Sequence, residues 1–427
     1  MSNQPTGTNR SMGMGRGGIS LRNLKTFTSF KNPVFRIYFG SMVGMMAGMN
    51  MQQLVGSLLI YRITGSAAIL GVMALASAIP MLFLSLFGGV IADRMQKKYV
   101  MFAGMAGSAL VSLGVALSLT LGYLSVESAG SWWILFVAGV FNGTIFGLML
   151  PSRQSIVREI VSQDQLMNAV SLNMLTMSAL RLLAPAASGF LIDAFDFAAV
   201  YYVMTGLYLV SIVFNALLPR TSTITIGGRS ALADINEGLQ YIRRETTILF
   251  ILLFTLVAVV LSMPYQMLLP IFTEDILKVG AKGMGIVMSV AGIGAILGSL
   301  FLASLPNKKR GVMLLVSSLI LGIALTGFSF SSSWVLSLCL IAVVGLGQTG
   351  RMALANTLLQ YYSVDEYQGR VMSIMMLEFG LSSFATFGAA LLTEAIGVQW
   401  AVGGFAIVLV LISILALVFV PRLRRLD

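Results

Sequence analysis

The basic residues of this 427-residue chain follow a regular pattern relative to its long apolar segments. Of the 27 Lys and Arg residues, 23 lie in alternate gaps between these segments. The intervening gaps contain Arg62, Lys278 and Lys282, and Arg181 lies inside an apolar segment. Cytoplasmic loops of membrane proteins accumulate Lys and Arg, because these residues are unfavourable to move across the membrane. The sequence therefore predicts a protein that crosses a membrane an even number of times, with both termini in the cytoplasm.

The composition agrees with a membrane protein and excludes several kinds of site. Hydrophobic residues make up 57% of the chain and charged residues 10%, whereas charged residues approach about a quarter of a soluble protein. The net charge of +11 follows from the basic loops and their contact with the lipid surface, so we expect no nucleic-acid partner. The chain has no histidine, which excludes His-based metal sites and Ser-His-Asp triads. Its one cysteine, Cys339, excludes an intramolecular disulfide.

The apolar segments predict an all-α membrane protein with twelve transmembrane helices in two six-helix bundles. A helix needs about 20 apolar residues to cross the bilayer core. The predicted spans of the first half are 37–61, 67–92, 99–124, 132–150, 168–195 and 198–218. Those of the second half are 248–272, 283–305, 312–330, 334–353, 371–395 and 401–420.

The gaps between these spans predict the domain organisation. A basic cytoplasmic tail, 1–36, precedes the first bundle, 37–219, and a cytoplasmic linker, 220–247, leads to the second bundle, 248–421, and a basic tail, 422–427. Within the linker, apolar residues recur at helical spacing, which predicts an amphipathic surface helix that ties the halves together. These apolar residues are Leu232, Ile235, Leu239 and Ile242. A mobile linker is the alternative.

The two halves repeat each other in order along the chain. The sequence SQDQ at 162–165 precedes the fifth span, and SVDE at 363–366 precedes the eleventh, an offset of 201 residues. The same offset relates Asp193 to Glu394, and an offset of 214 relates Gln52 to Gln266. Duplicated bundles predict a pseudo-twofold axis along the membrane normal, with a binding site near mid-membrane between them.

Glycines at four-residue spacing mark two helices that pack closely. They are Gly40, Gly44 and Gly48 in the first span and Gly139, Gly143 and Gly147 in the fourth. This spacing puts each set on one helix face, where small residues allow two backbones to approach.

The loop after the second span carries a recognisable motif. The sequence GVIADRMQKK at 89–98 resembles the signature loop of the major facilitator superfamily, with Gln96 in place of its turn glycine. The resemblance implies a conformational gate, in which a small residue lets helices approach, an aspartate accepts hydrogen bonds from a facing helix and the basic residues remain in the cytoplasm. The gate residues are Gly89, Asp93, Arg94, Lys97 and Lys98. A basic loop that serves topology alone is the alternative.

Further motifs resemble the efflux branch of this superfamily, which contains the enterobactin and macrolide exporters. They are PSRQSIVR at 151–158 and GRVMS at 369–373. The antiporter motif of the fifth span is degraded to APAASG at 184–189. The predicted fourth span contains no arginine, although many proton-driven drug antiporters of the superfamily have one there.

The resemblance implies that spans one, four, seven and ten line a central substrate cavity. The polar candidates for substrate binding on these spans are Asn50, Gln52, Gln53, Asn142, Tyr265, Gln266, Gln348 and Arg351. Amide side chains can orient a ligand without the desolvation cost of a charge. Methionines, among them Met45 and Met49, can form a soft apolar lining. Contacts between helices are the alternative role of each polar residue.

Two charged residues lie several helical turns inside predicted spans. A charge at that depth is unfavourable unless it faces a cavity or a partner. We predict that Glu378 is a protonatable coupling group and that Arg181 is its counter-charge or an anion site. A structural salt bridge, or a Glu378 that is permanently protonated, is the alternative.

These features predict a secondary active transporter in the plasma membrane, specifically a proton-coupled exporter of amphiphilic drugs or siderophores. No ATP-binding loop is visible, so we expect neither ATP hydrolysis nor another enzyme activity. The expected partners are a small-molecule substrate, the lipid bilayer and protons. We expect a monomer without cofactor or metal. An importer of the same fold, or a transport-inactive membrane receptor or scaffold, is the alternative.

Overall fold

The computed structural model describes residues 29–125, 127–219, 231–306 and 308–426, and these residues form helices and no strand. The helices of the first half are α1 (Pro33–Thr64), α2 (Ala67–Arg94), α3 (Lys97–Thr120), α4 (Trp133–Ile160), α5 (Gln163–Ala194) and α6 (Phe197–Ala216). The linker contains α7 (Ala231–Arg244). The second half contains α8 (Thr246–Ser262), α9 (Pro264–Ile271), α10 (Gly280–Ser304), α11 (Arg310–Phe330), α12 (Trp334–Tyr362), α13 (Asp365–Ile396), α14 (Val398–Phe419) and the short α15 (Pro421–Arg424). Most of the predicted N-terminal tail lies outside the described residues.

The structure confirms the predicted all-α membrane fold. Within the described ranges, eleven helical segments are long and apolar enough to cross a membrane. Helix α1 is the twelfth such segment, and it is not among the eleven because Asn50, Gln52 and Gln53 lower the hydropathy of its middle.

The ends of α1 are well defined. The Asn32 side chain caps its first turn, and Gly65, at a φ of 61°, ends it in the left-handed conformation that glycine favours.

The seventh span differs from the predicted continuous segment, 248–272. It consists of α8, α9 and a π-helical turn, Phe272–Ile276. Proline at position 264 lacks the N–H that would continue the hydrogen-bond ladder, so α8 ends at Ser262 and α9 begins at Pro264. This break places Tyr265 and Gln266 in the first turn of a new helix segment.

Two helices extend well beyond the predicted ends of their spans. The fourth helix continues ten residues past the predicted end at Leu150, and α12 continues nine residues past Ala353. Both extensions contain polar residues, which end an apolar run without interrupting backbone hydrogen bonding. The extension of α4 includes Arg153, so the expectation that the fourth span lacks an arginine is wrong for the helix that forms.

The predicted glycine contacts are present in both helices. A Cβ added to Gly44 would lie 2.7 Å from the backbone oxygen of Leu207 in α6, and Ser41 donates a hydrogen bond of 3.0 Å to a backbone oxygen of the same helix. A Cβ added to Gly143 would overlap the backbone of Ser77 in α2. These approaches fix α1 against α6 and α4 against α2 at distances that other residues cannot reach.

The two halves meet along two helix–helix contacts, which we call seams, and exchanging the halves turns one seam into the other. In one seam α2 packs on α13, and in the other α5 packs on α10. Each seam therefore pairs the second span of one half with the fifth span of the other, as a pseudo-twofold axis requires. The repeated fifth spans, α5 and α13, also have the same length of 32 residues.

The amphipathic linker segment is a helix, α7, and its described contacts are with the second half. Glu237 accepts a hydrogen bond of 2.9 Å from Arg370 of α13, and the ring of Tyr241 stacks on that of Tyr367 at 4.3 Å. The side chain of Ile242 is buried in the apolar cluster of the second half. The side chains of Leu232 and Ile235 lie outside the described ones, and Leu239 is partly exposed.

Candidate functional site

A cavity lies between the halves, and we call it the polar cavity. It is bounded by α1 and α5 of the first half and by α9, α10 and α12 of the second. Its polar lining residues are Asn50, Gln53, Arg181, Tyr265, Gln266, Gln348 and Thr349. The remainder of the wall is apolar and includes glycines at 292 and 345. The structure thus brings together six residues that the sequence analysis singled out.

Amide groups from both halves form a chain across the wall of the polar cavity. The Nε2 atom of Gln53 in α1 lies 3.5 Å from Oε1 of Gln266, and Nε2 of Gln266 lies 3.5 Å from Oε1 of Gln348. Good hydrogen bonds between these atom types measure about 2.7 to 3.2 Å. Because these contacts are long, the amide groups retain most of their capacity to bind a ligand.

The guanidinium group of Arg181 is exposed in the polar cavity. It forms no hydrogen bond or ion pair with another described residue, and it lies close enough to Tyr265 for an electrostatic interaction. Among the described residues that line this cavity there is no Asp or Glu. The wall of the polar cavity therefore has a net positive charge.

A second cavity is lined by an adjacent face of α1, and we call it the methionine-lined cavity. It is bounded by α1, α2, α3, α4, α6 and α13. Five of its lining residues are methionines: Met45, Met49, Met81, Met105 and Met149. Gln52 and Asn142 are among its few polar lining residues. Flexible, polarisable methionine side chains can adapt to ligands of different shape.

The helical geometry of α1 explains why its polar residues separate. Asn50 and Gln53 are three residues apart and share the face toward the polar cavity. Met45, Met49 and Gln52 share an adjacent face. A single helix thus lines two cavities of different chemistry.

Arg351 and Glu378 line neither of these cavities. The carboxylate of Glu378 accepts a hydrogen bond of 2.7 Å from Thr255 in α8, and its residue is 6% exposed. Arg351 is 3% exposed, and its Nε has no hydrogen-bond partner among the described residues. Its charge interacts with that of Glu378, but the two groups do not form an ion pair. The structure therefore does not pair Glu378 with Arg181, and its nearest opposite charge is Arg351.

A group of polar contacts joins the halves at the end where α1 and α13 both finish, and we call it the end clasp. Arg62 forms an ion pair of 2.8 Å with Glu274, and Tyr61 donates a hydrogen bond to Asp275. Glu394 accepts hydrogen bonds of 2.7 Å from Ser66 and 3.0 Å from the backbone N–H of Ala68. The sequence analysis predicts that this end lies on the outer side of the membrane.

Arg153 is a functional candidate that the sequence analysis assigned to a loop. Its guanidinium group lies 5.8 Å from the ring centre of Phe146, a lining residue of the methionine-lined cavity, and 3.6 Å from the sulfur of Met46. The sequence could have identified Arg153 if α4 had been predicted to continue through Pro151, since a proline does not always end a helix.

The predicted gate residues are only partly described. The side chains of Gly89, Asp93 and Arg94 lie outside the described residues. Lys97 forms an ion pair with Glu159 of α4, and Nζ of Lys98 donates a hydrogen bond of 2.8 Å to the backbone oxygen of Ala216. Both lysines therefore tie the start of α3 to neighbouring helices of the first half.

Comparisons with known proteins agree with this architecture. The family described as Major Facilitator Superfamily matches residues 37–387 and 284–427. The macrolide efflux protein A of Streptococcus pyogenes is 23% identical over 419 residues, which cover 95% of this chain and 100% of that protein. The staphyloferrin A transporter of Staphylococcus aureus is 22% identical over 334 residues, covering 78% and 83%. The crystal structure of a point mutant of the nucleoside transporter NupG superposes with a TM-score of 0.71 at 11% identity, covering 88% and 99%. This chain is a multi-pass membrane transporter, not an enzyme, and belongs to the Major Facilitator Superfamily.

Proposed function

We propose that this protein exports amphiphilic small molecules across the plasma membrane, driven by the proton gradient. The observation that supports the proposal is the pair of cavities that both use α1 as a wall, one polar and one lined by methionines. An amphiphile has a polar part and an apolar part, and the two cavities offer each part a matching surface. Relatives named for macrolide efflux and staphyloferrin A transport make drugs or siderophores reasonable substrates.

Export by alternating access requires that one end of the transporter closes while the other opens. The end clasp, Arg62 with Glu274 and Ser66 with Glu394, holds the halves together at the end that the basic loops assign to the outside. We infer that this conformation receives substrate from the cytoplasm and that release requires the clasp to open. Reporter fusions at the turn 308–310 test the orientation, since an external location of this turn contradicts it.

We propose that Glu378 couples transport to protons, as the sequence analysis predicts, with Arg351 as the nearby charge. The carboxylate of Glu378 is buried beside Thr255 and close to Arg351. Protonation of this carboxylate therefore changes the net charge inside the second half. A proton taken up there can favour one packing of α13 against α8 and α12 over another. Arg351 thus has a proposed role beside Glu378, in addition to its prediction as a substrate contact.

Transport into inside-out vesicles tests both levels of the proposal. With an imposed proton gradient, wild-type vesicles are expected to accumulate rhodamine dyes, macrolides or siderophores from a panel of amphiphiles. The Glu378→Gln variant is expected to equilibrate the same compounds without concentrating them. Glu366→Gln, which changes an exposed carboxylate of the same helix outside the end clasp, is the matched control and is expected to retain accumulation.

The outcomes separate export from coupling. Accumulation by Glu378→Gln at the wild-type level removes the coupling role of this residue and leaves export intact. Failure of wild-type vesicles to accumulate any compound contradicts export. Gradient-driven movement out of these vesicles favours an importer.

A further inference from the structure

Among the described residues that line the polar cavity, none provides a counter-charge for the guanidinium group of Arg181. Arg181 lies well inside α5, a membrane-crossing helix, where a cation is unfavourable unless it meets a partner or a polar cavity. It has no hydrogen bond or ion pair with another described residue. The described residues that line the two cavities include no Asp or Glu.

The nearest candidates for an internal counter-charge are engaged elsewhere. Glu378 accepts a hydrogen bond from Thr255 and has Arg351 as its nearest opposite charge. Glu274, Asp275 and Glu394 belong to the end clasp. The positive charge of the polar cavity is therefore left for a bound molecule to neutralise.

The groups around Arg181 can surround a small anion with hydrogen-bond donors. The amides of Gln53 and Gln266 come from opposite halves and make only long contacts with each other. Gln348 extends the same set, and the hydroxyl of Tyr265 lies in the same wall. A planar guanidinium group with additional N–H donors matches the two oxygens of a carboxylate, which it can bind in bidentate fashion.

We propose that the polar cavity binds the carboxylate of an anionic amphiphile, with Arg181 as its ion-pairing residue. This inference rests on the proposed export function and specifies its substrate class. The carboxylate joins the two halves by taking hydrogen bonds from Gln53 on one side and Gln266 on the other. The membrane potential, which is negative inside the cell, favours outward movement of such an anion.

A matched pair of xanthene dyes tests the inference by binding alone. Fluorescein carries a free carboxylate, and rhodamine 123 carries a methyl ester at the same position and a positive charge. Binding of each dye to the purified full-length protein in nanodiscs of neutral phosphatidylcholine is measured by fluorescence anisotropy. Neutral lipid removes anionic headgroups as an alternative source of the anion.

Fluorescein and rhodamine 123 also differ in the charge of the xanthene ring. Rhodamine 110, which has the ring of rhodamine 123 and a free carboxylate, is therefore measured with them and is expected to bind more tightly than rhodamine 123. Wild-type protein is expected to bind fluorescein at least tenfold more tightly than rhodamine 123. Arg181→Gln is expected to lose at least tenfold in fluorescein affinity, whereas Arg181→Lys, which keeps the charge, loses less. Arg36→Gln removes an exposed cation at the start of α1 and is expected to bind as the wild type does.

Either of two results overturns the inference: fluorescein affinity that is unchanged in a monodisperse Arg181→Gln protein, or wild-type protein that does not prefer fluorescein. Failure of the proposed function is distinguishable from this. Vesicles that accumulate rhodamine 123 without Arg181-dependent fluorescein binding retain export and lose the anion site. Arg181-dependent fluorescein binding without any transport retains the anion site and removes export.

Discussion

The polar cavity and the methionine-lined cavity both use α1 as part of their walls, and the other helices that form them differ. The polar cavity is shared between the halves, with Gln53 and Arg181 from the first and Gln266 and Gln348 from the second. The methionine-lined cavity belongs mainly to the first half, and α13 contributes residues such as Phe379 and Ser383. A ligand in the polar cavity therefore contacts both moving bodies, whereas a ligand in the methionine-lined cavity contacts chiefly one.

From this difference we infer that the two cavities contribute in different ways to the binding of one substrate. Contacts with both halves can report that the site is occupied, because they change when the halves move. Contacts within one half can supply affinity in both conformations, because that half moves as a unit. The comparison leads to three predictions, which act first on the structure of one cavity and then on each cavity's contribution to binding.

The largest effect is expected from Gly143→Ala, which changes the wall of the methionine-lined cavity. The added Cβ would overlap the backbone of Ser77 and force α2 away from α4. Overpacking of this kind typically costs about 1 to 3 kcal/mol. Thermal unfolding of the purified protein should show a lower Tm. Gly139→Ala, one turn away, is the control, since its Cβ would meet the Ser77 hydroxyl at 3.3 Å. Equal Tm values for the two variants would contradict the close approach.

The second prediction separates apolar from polar binding. Both Met49 and Met81 are partly exposed and line the methionine-lined cavity. The double variant Met49→Ala with Met81→Ala removes apolar surface, at about 0.8 kcal/mol for each methylene that a ligand buries. We expect about tenfold weaker binding of the neutral dye Nile red, with fluorescein affected less than about threefold. Leucine at both positions keeps the volume and should keep both affinities. Equal losses of affinity for the two dyes would indicate that the two cavities act as one binding surface.

The smallest effect is expected from Gln266→Ala in the polar cavity. The carboxylate is charged, but water can replace the deleted amide in the cavity. The loss should therefore match that of an ordinary hydrogen bond, about 0.5 to 1.5 kcal/mol, and fluorescein affinity should fall about fivefold. Gln52→Ala removes the same kind of amide from the methionine-lined cavity and should leave fluorescein binding unchanged. Dissociation constants from the same anisotropy measurement check both variants. If Gln52→Ala has the larger effect, the assignment of the carboxylate to the polar cavity is contradicted.

Much of the fold was predictable because each membrane-crossing helix is a local feature. Lipid requires a long apolar run, and the cytoplasm retains Lys and Arg, so spans can be located without knowledge of their neighbours. The first helix was found in this way despite the amides at Asn50, Gln52 and Gln53. The boundaries were less predictable. Arg153 was assigned to a loop because an apolar run ends at Leu150, although the helix continues to Ile160.

The candidate site was predictable as a set of residues but not as an arrangement. The sequence analysis selected polar residues on the predicted spans, and six of these residues line the polar cavity. Their partners could not be inferred, because two charges in separate spans give no sign of their distance. Arg181 and Glu378 were paired on depth alone, whereas the fold places Arg351 nearer to Glu378 and leaves Arg181 in the cavity.

The sequence by itself determined that this chain is a membrane protein of twelve spans in two similar halves, and which helix faces can pack closely. These properties depend on the solvent each residue prefers and on the spacing of neighbours within one helix. The tertiary structure decided that α1 lines two cavities, that Pro264 divides the seventh span beside the polar cavity, and which charges lack a partner among the described residues. These properties depend on how helices distant in sequence pack together, because the distance between two side chains is set by the backbones that carry them.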